Sequence, residues 1–429
     1  MMRRNYLVVL VLVLMTSTFC KKEKEFLPFE FIMGTDVYTP SNMGMPDKGE
    51  KYQDPNFLTT CQRITEKADG YSGPGIENEY ARCDPENANG TRLILRGNDG
   101  TYYLYNRETC EMIGQITAFS ECNWEEPEPR WDKTDPNIFY YLCNTQLRSY
   151  NISTGNSTTI HDFKDEFSLA SSITTNVEGD ASLDRRYWAF IVQDSNYNFI
   201  SLIVYDRVLD SIIGQKSTGF PDEFNWCSID MSGSHCILGY ESINYVQVFS
   251  LDLSTSINLP AGSNAHGDLA LTSSGEDVFV YQNTATDHIS MADLNTGTEV
   301  QLVPIPFDVN IDIGLHISGN CAETPGWVLV STYGSYNLPS GSSHSWMDCQ
   351  LFMLELKANP RIWRIAHTQS YTSRDYTGEK NYFAEAFASI NTTGTRIYWG
   401  SNWRNYTMDY TDAYVVLLED NWVSKMPAQ

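Results

Sequence analysis

Apolar and polar positions along this chain alternate in short runs with a period of two, broken by clusters of Gly, Asn, Asp and Ser. Helical periodicity is nearly absent. Such a pattern predicts many short β-strands joined by tight turns. One phrase recurs, a small polar turn with Gly followed by an apolar strand. It reads NANGTRLIL (87–95), DMSGSHCIL (230–238), TSSGEDVFV (272–280) and NTTGTRIYW (391–399). DPNIFYYLC (135–143), LDRRYWAFI (183–191) and ETPGWVLVS (323–331) are variants of it. An amphipathic strand closing on a turn follows each copy, as in QLRSYNISTG and VQVFSLDLST.

The first strand of each pair starts near residues 91, 138, 186, 235, 277, 326 and 396, at spacings of 47, 48, 49, 42, 49 and 70. Seven copies of a four-stranded unit at this period predict an all-β, seven-bladed β-propeller. A single blade leaves apolar surface open, so blades stack around a ring and cover one another. The long sixth interval leaves room for insertions around Ser335–Asp348 and Ser370–Tyr382. The last copy lacks a fourth strand. Leu58–Glu66 (LTTCQRITE) resembles the outer strand of a blade, and the expectation is that it closes the ring. The domain reading is therefore 1–20 as an export signal, 21–56 as a tether or extended cover, and 57–429 as the propeller.

At the N-terminus, Arg3 and Arg4 precede the apolar run Tyr6–Met15, small polar residues, and then KKEKE. A basic start, a short apolar core and a small-residue exit describe a secretory signal peptide. The run is too short to cross a bilayer, which takes about twenty apolar residues. Cleavage has two readings. Cys20 is either the lipid-modified first residue of a lipoprotein, with Ser17-Thr18-Phe19 as its lipobox, or the last residue before an ordinary cut. The expected location is secreted, periplasmic or cell-surface, with the membrane reached only through a lipid on Cys20.

The 10 cysteines agree with an oxidising compartment. Cys227–Cys236 and Cys321–Cys349 are the expected local disulfides, with Cys143 left as the odd thiol. The sequons at Asn89, Asn151, Asn156, Asn391 and Asn405 mark surface loops. A formal charge of −25 and a pI near 4.5 argue against nucleic acid and anionic membranes as partners. The expected partner is a carbohydrate or protein ligand, and the expected state a monomer.

In a propeller the innermost strands line a central channel, and the residues just before each phrase face it. These are Arg130, Glu178, Asp180, Trp226, His266, Asp268, His316 and Glu385. Arg130, Glu178, Asp180, Trp226 and Asp268 are the candidate ligand-binding set. His266, His316 and Glu385 could hold a divalent cation such as Mn, Fe, Zn or Ca, because imidazole and carboxylate suit such ions. Each histidine alone is more often a hydrogen-bonded structural residue. His367 reads as structural, and His161, His235, His288 and His344 as surface residues. No nucleophile elbow, phosphate-binding loop, zinc-protease helix, Cys-x-x-Cys or EF-hand loop is present. The 10 Trp and 26 Tyr offer stacking surfaces for sugar rings.

DPNFLTTCQRITE, EPRWDKTDPNIFYY, EGDASLDRRYWAF, HGDLALTSSGEDVFV, GLHISGN with PGWVLVS, RIWRIAHT and AEAFASINTTGTRIYWGSNW follow in one order. Together, over about residues 55–420, they resemble secreted bacterial propeller proteins of the TolB-like and oligogalacturonate-lyase-like kind. The resemblance implies the fold, and it admits both enzymes and binding proteins. It also implies a histidine near AEAFAS, where this chain has Phe387. Two functions follow as expectations. One is recognition of a carbohydrate-like or protein ligand at the channel mouth. The alternative is a metal-assisted polysaccharide lyase, in which the cation held by His266, His316 and Glu385 neutralises a uronate carboxylate while a base removes the C5 proton.

Overall fold

The computed structural model describes residues 26–70, 75–122, 127–406 and 410–428. The expected export signal at 1–20, with Cys20, lies outside the described residues.

The recurring phrase has a local cause. Asn87 Oδ1 accepts the backbone amides of Thr91 at 2.8 Å and Arg92 at 2.9 Å. Asp230 does the same for Ser234 and His235, and Asn391 for Thr395 and Arg396. The side chain closes the turn and delivers the backbone into the following strand. Gly233 in this turn has φ +72°, a conformation that strains residues with a Cβ.

Each strand then sorts its side chains by parity. Along Tyr187–Gln193, Trp188, Phe190 and Val192 enter one core cluster while Ala189 and Ile191 enter the next. Both faces of the sheet are covered by neighbouring sheets, which is why the run is continuously apolar. Full burial of a side chain such as Phe190 contributes roughly 1.5–3 kcal/mol.

Among the described residues, five separate four-stranded antiparallel sheets result, each with the order and packing of a propeller blade. Their strands run from Arg130–Trp131 through to Ile362–His367. A nine-stranded sheet holds the two ends of the repeat series. One part is Gly75–Glu77, Arg92–Gly97, Tyr102–Asn106 and Met112–Gln115. The other is Ser389–Ile390, Arg396–Ser401 and Thr411–Leu417. A parallel bridge, Thr411 opposite Gly75 and Asp412 opposite Ile76, joins the two parts. Thr60–Arg63 pairs antiparallel with Thr411–Leu417, with Cys61 opposite Val416. Lys51–Gln53 adds a further strand outside it.

Upstream of that, residues 29–38 lie along the outer strand Ile362–His367. Met33 bridges Trp363, Gly34 N donates to Ile362 O at 3.0 Å, and Arg364 N donates to Ile32 O at 2.9 Å. Phe29 and Phe31 pack on the Trp363 ring.

The cysteines correct the expected pairing. Cys122 and Cys143 form a disulfide, with Cα atoms 4.9 Å apart. Cys61, Cys83, Cys110, Cys227, Cys236, Cys321 and Cys349 are buried thiols. Cys227 lies opposite Leu238, so Cys236 is its diagonal neighbour, too far for a bridge by the usual strand spacing. Cys321 contacts Trp327 O at the start of its strand, whereas Cys349 precedes Gln350 near Thr332, at the other end of the same sheet. Cys143 found its mate in Cys122, which sits in the connection between the first two repeats, outside any strand. Asn391 also departs from expectation. It is buried with its side chain committed to the turn, unlike the exposed Asn89, Asn156 and Asn405.

Candidate functional site

The strands at one edge of neighbouring sheets come together, and residues within them or just before them build the candidate site. Packing there is close. A Cβ on Gly319 would fall 1.9 Å from Leu269 O, so only glycine fits where one inner strand passes the next. Gly319 N donates to Asp268 Oδ2 at 2.8 Å, and Leu269 N donates to Asp268 Oδ1 at 2.8 Å. Burial pushes the Asp268 carboxyl up to about 7.

His266 and His316 come from neighbouring inner strands and meet edge to face, with ring centroids 4.5 Å apart. His316 Nε2 lies 3.1 Å from Glu385 Oε2, and Tyr80 Oη lies 3.5 Å from His266 Nδ1. The His316 ring is sandwiched by Tyr333, centroids 5.1 Å apart, and by Phe387 at 4.7 Å. Burial pushes both imidazoles down to about 3, and the nearby Arg82 cation acts in the same direction. Both rings are therefore neutral near neutral pH.

The other sequence candidates form ion pairs in the wall. Arg130 donates to Glu79 Oε2 at 3.2 Å, Val177 O at 2.7 Å and Gly179 O at 2.9 Å. Asp180 pairs with Arg185 at 2.5 Å; burial works against its charge, but Arg185 and Arg130 hold its pKa below the usual carboxylate range. Glu178 pairs with Arg82 at 3.1 Å, and the Arg82 guanidinium lies 4.2 Å from the centroid of the Trp226 ring. Arg130, Trp226 and Asp268 are buried, so they shape the wall, whereas Glu178 reaches the opening.

That opening is a pocket of about 300 Å³ lined by Glu77, Asn78, Tyr80, Arg96, Glu178, Tyr382 and Phe387, among others. Glu77, Asn78, Tyr80, Arg82 and Arg96 are not among the residues expected from sequence, whose channel-facing set begins at Arg130. The signal was available: ENEYAR (77–82) precedes the first repeat phrase as HGD precedes the fifth. Glu77 is buried, its Oε2 has no hydrogen-bond partner among the described residues, and burial pushes its carboxyl up to about 8. Tyr382, in the long connection before Ser389–Ile390, is 54% exposed and packs on Phe387.

The donors suit a divalent cation in chemistry but not in number. Among the described residues no three His, Cys, Asp or Glu side chains are disposed to hold one ion. His316 Nε2 is engaged by Glu385, and the Phe387 ring packs against the imidazole. His316 Nδ1 is buried without a partner among the described residues, an unspent position beside His266.

No family model matches the sequence, and no curated protein matches it. Solved structures do match. An oligogalacturonate lyase in complex with manganese has a TM-score of 0.59 at 13% identity, covering 86% of this chain and 96% of that one. The oligogalacturonate lyase from Vibrio parahaemolyticus has a TM-score of 0.59 at 15% identity, covering 88% and 100%. The likeness is one of fold. The four-stranded sheets are those of a β-propeller of the kind these lyases have. At such identities a propeller carries no activity with it, since function lies in the site.

Proposed function

We propose that this chain is an exported, seven-bladed β-propeller that recognises a carbohydrate-like ligand at the mouth of its central channel. In this reading the two parts of the nine-stranded sheet are the first and last blades, and Thr60–Arg63 closes the ring. The mouth pocket carries the proposal. It pairs aromatic faces at Tyr382 and Phe387 with hydrogen-bonding groups at Asn78 and Glu178, and its volume of about 300 Å³ suits a small polar ligand. Arg82, Arg130 and Arg185 are paired with Glu178, Glu79 and Asp180, which fixes that part of the wall for positioning a ligand. Calorimetric titration with neutral saccharides tests this. Saturable binding that Tyr382→Ala weakens at least tenfold at unchanged thermal stability supports it, and binding indifferent to that substitution refutes it.

A second reading is a polysaccharide lyase, favoured by the meeting of His266, His316 and Glu385 and by the manganese-bound lyase of like fold. That reading needs His266, His316 and Glu385 to hold the ion, and as disposed they do not form a set for one. Phe387 stands where the resemblance implies another histidine, and this weighs against the lyase. Elemental analysis of the purified protein, with trigalacturonate incubated beside it, separates the two readings. Stoichiometric metal and an unsaturated product would establish the lyase.

A further inference from the structure

A second cavity, of about 550 Å³, lies between the strands Tyr187–Gln193 and Phe224–Ile229. Tyr197, Phe199, Phe220 and Phe224 line it together with polar side chains. Asn176 lines both this groove and the mouth pocket, so the two adjoin at that residue.

The backbone at that junction is strained. Asn176 has φ +55° and Val177 φ +72°, and a β-branched residue rarely enters the left-handed region. Two bonds hold it there: Asn176 Nδ2 donates to Asn225 O at 2.9 Å, and Arg130 Nη2 donates to Val177 O at 2.7 Å. Strain of this kind persists where the surroundings over-determine it, and it gathers at ligand sites.

Tyr197 stands at the outer part of the groove, 60% exposed and itself at φ +64°. Its loop is fixed from one side. Asp194 accepts the amides of Asn196 at 2.8 Å and Asn198 at 3.0 Å, and the Asn198 side chain at 3.0 Å. An exposed aromatic ring on a braced loop offers a flat face for the apolar C–H side of a sugar. Phe199, Phe220 and Phe224 pack against one another, with ring centroids 4.7–5.7 Å apart, in the same groove. The lining includes Asp222 and Glu223, with Lys216 beside it at 5.7 Å from the Phe220 ring centroid, so the carboxylates outweigh that cation and a chain of uronates would meet unfavourable charge.

We propose that this groove is an outer subsite for a neutral oligosaccharide whose inner end occupies the mouth pocket. The proposal rests on the recognition reading above and extends it from a single sugar to a chain. Calorimetric titration of the full protein with maltose and maltohexaose, cellobiose and cellohexaose, and trigalacturonate tests it. One hexaose should bind at least tenfold more tightly than its disaccharide. Tyr197→Ala should erase that gain and leave the disaccharide affinity unchanged, and trigalacturonate should show no binding of its own at the groove. Disaccharide binding with no gain in the hexaose, or a gain that survives Tyr197→Ala, overturns the outer subsite alone. A trigalacturonate affinity that Tyr197→Ala abolishes overturns the neutral-chain assignment. Failure of every sugar to bind overturns this inference and the recognition reading together.

Discussion

His316 stands edge-on to His266, ring centroids 4.5 Å apart, with its Nε2 3.1 Å from Glu385 Oε2. Two imidazoles and a carboxylate from separate repeats thus meet in a buried place where neither ring carries charge. In the recognition reading His316 is packing between Tyr333 and Phe387. His316→Ala should then cost about 2–4 kcal/mol in denaturant unfolding, as other large-to-small core changes do. Tightly bound manganese that this substitution removes would instead favour the lyase.

The Glu77 carboxyl gives a pH signature. Its folded-state pKa is raised from 4.5 to about 8 by burial. Its contribution to stability is fully present below pH 4.5 and is lost as pH rises through about 8, at about 1.4 kcal/mol for each unit of pH. Glu77→Gln keeps the shape of the neutral form. The variant should therefore lose less stability than wild type between pH 5 and 8 in urea unfolding. Parallel curves for the two proteins would show that Glu77 is charged in the fold.

Cys122–Cys143 closes a loop of sequence separation 21. Removing it with Cys143→Ser should cost roughly 3 kcal/mol, mainly by freeing the unfolded chain. Non-reducing peptide mapping should find this bridge, with Cys227, Cys236, Cys321 and Cys349 alkylated as thiols. A Cys227–Cys236 or Cys321–Cys349 peptide would contradict the strand register.

Deleting residues 57–67 removes the strand that pairs with Thr411–Leu417. An unpaired edge of seven largely apolar residues would then face solvent. The deletion variant should aggregate in size-exclusion chromatography. A soluble, cooperatively folding variant would mean that the last sheet does not need this strand.

The strands were legible in the sequence because two simple rules act in every repeat. Asn87, Asp230 and Asn391 close their turns with the same side-chain bonds, so the turn phrase recurs. Trp188 and Ala189 go to opposite, equally buried faces, so the strands stay apolar throughout. His266, His316 and Glu385 share a legible position, because His266 and Glu385 precede inner strands and His316 lies within one. The pocket itself was hidden for the opposite reason. Tyr382 and Tyr197 lie in connections without periodicity, and Glu77 and Arg82 belong to ENEYAR, at the end of and just after the short strand Gly75–Glu77, whose three residues show no alternation to mark it. Nor does spacing show that Arg130 and Asp268 would be consumed by bonds to Val177, Gly179 and Gly319. Commitment of a polar group depends on what crosses from the next repeat.

Hydrogen–deuterium exchange with and without a saturating neutral oligosaccharide tests the central claim most directly, with the sugar recovered afterwards for mass spectrometry. Recognition at the channel mouth predicts ligand protection of peptides covering Glu77–Tyr80 and Tyr382–Phe387, with the sugar recovered intact. Protection confined to other parts of the ring, or a cleaved and unsaturated sugar, would contradict it.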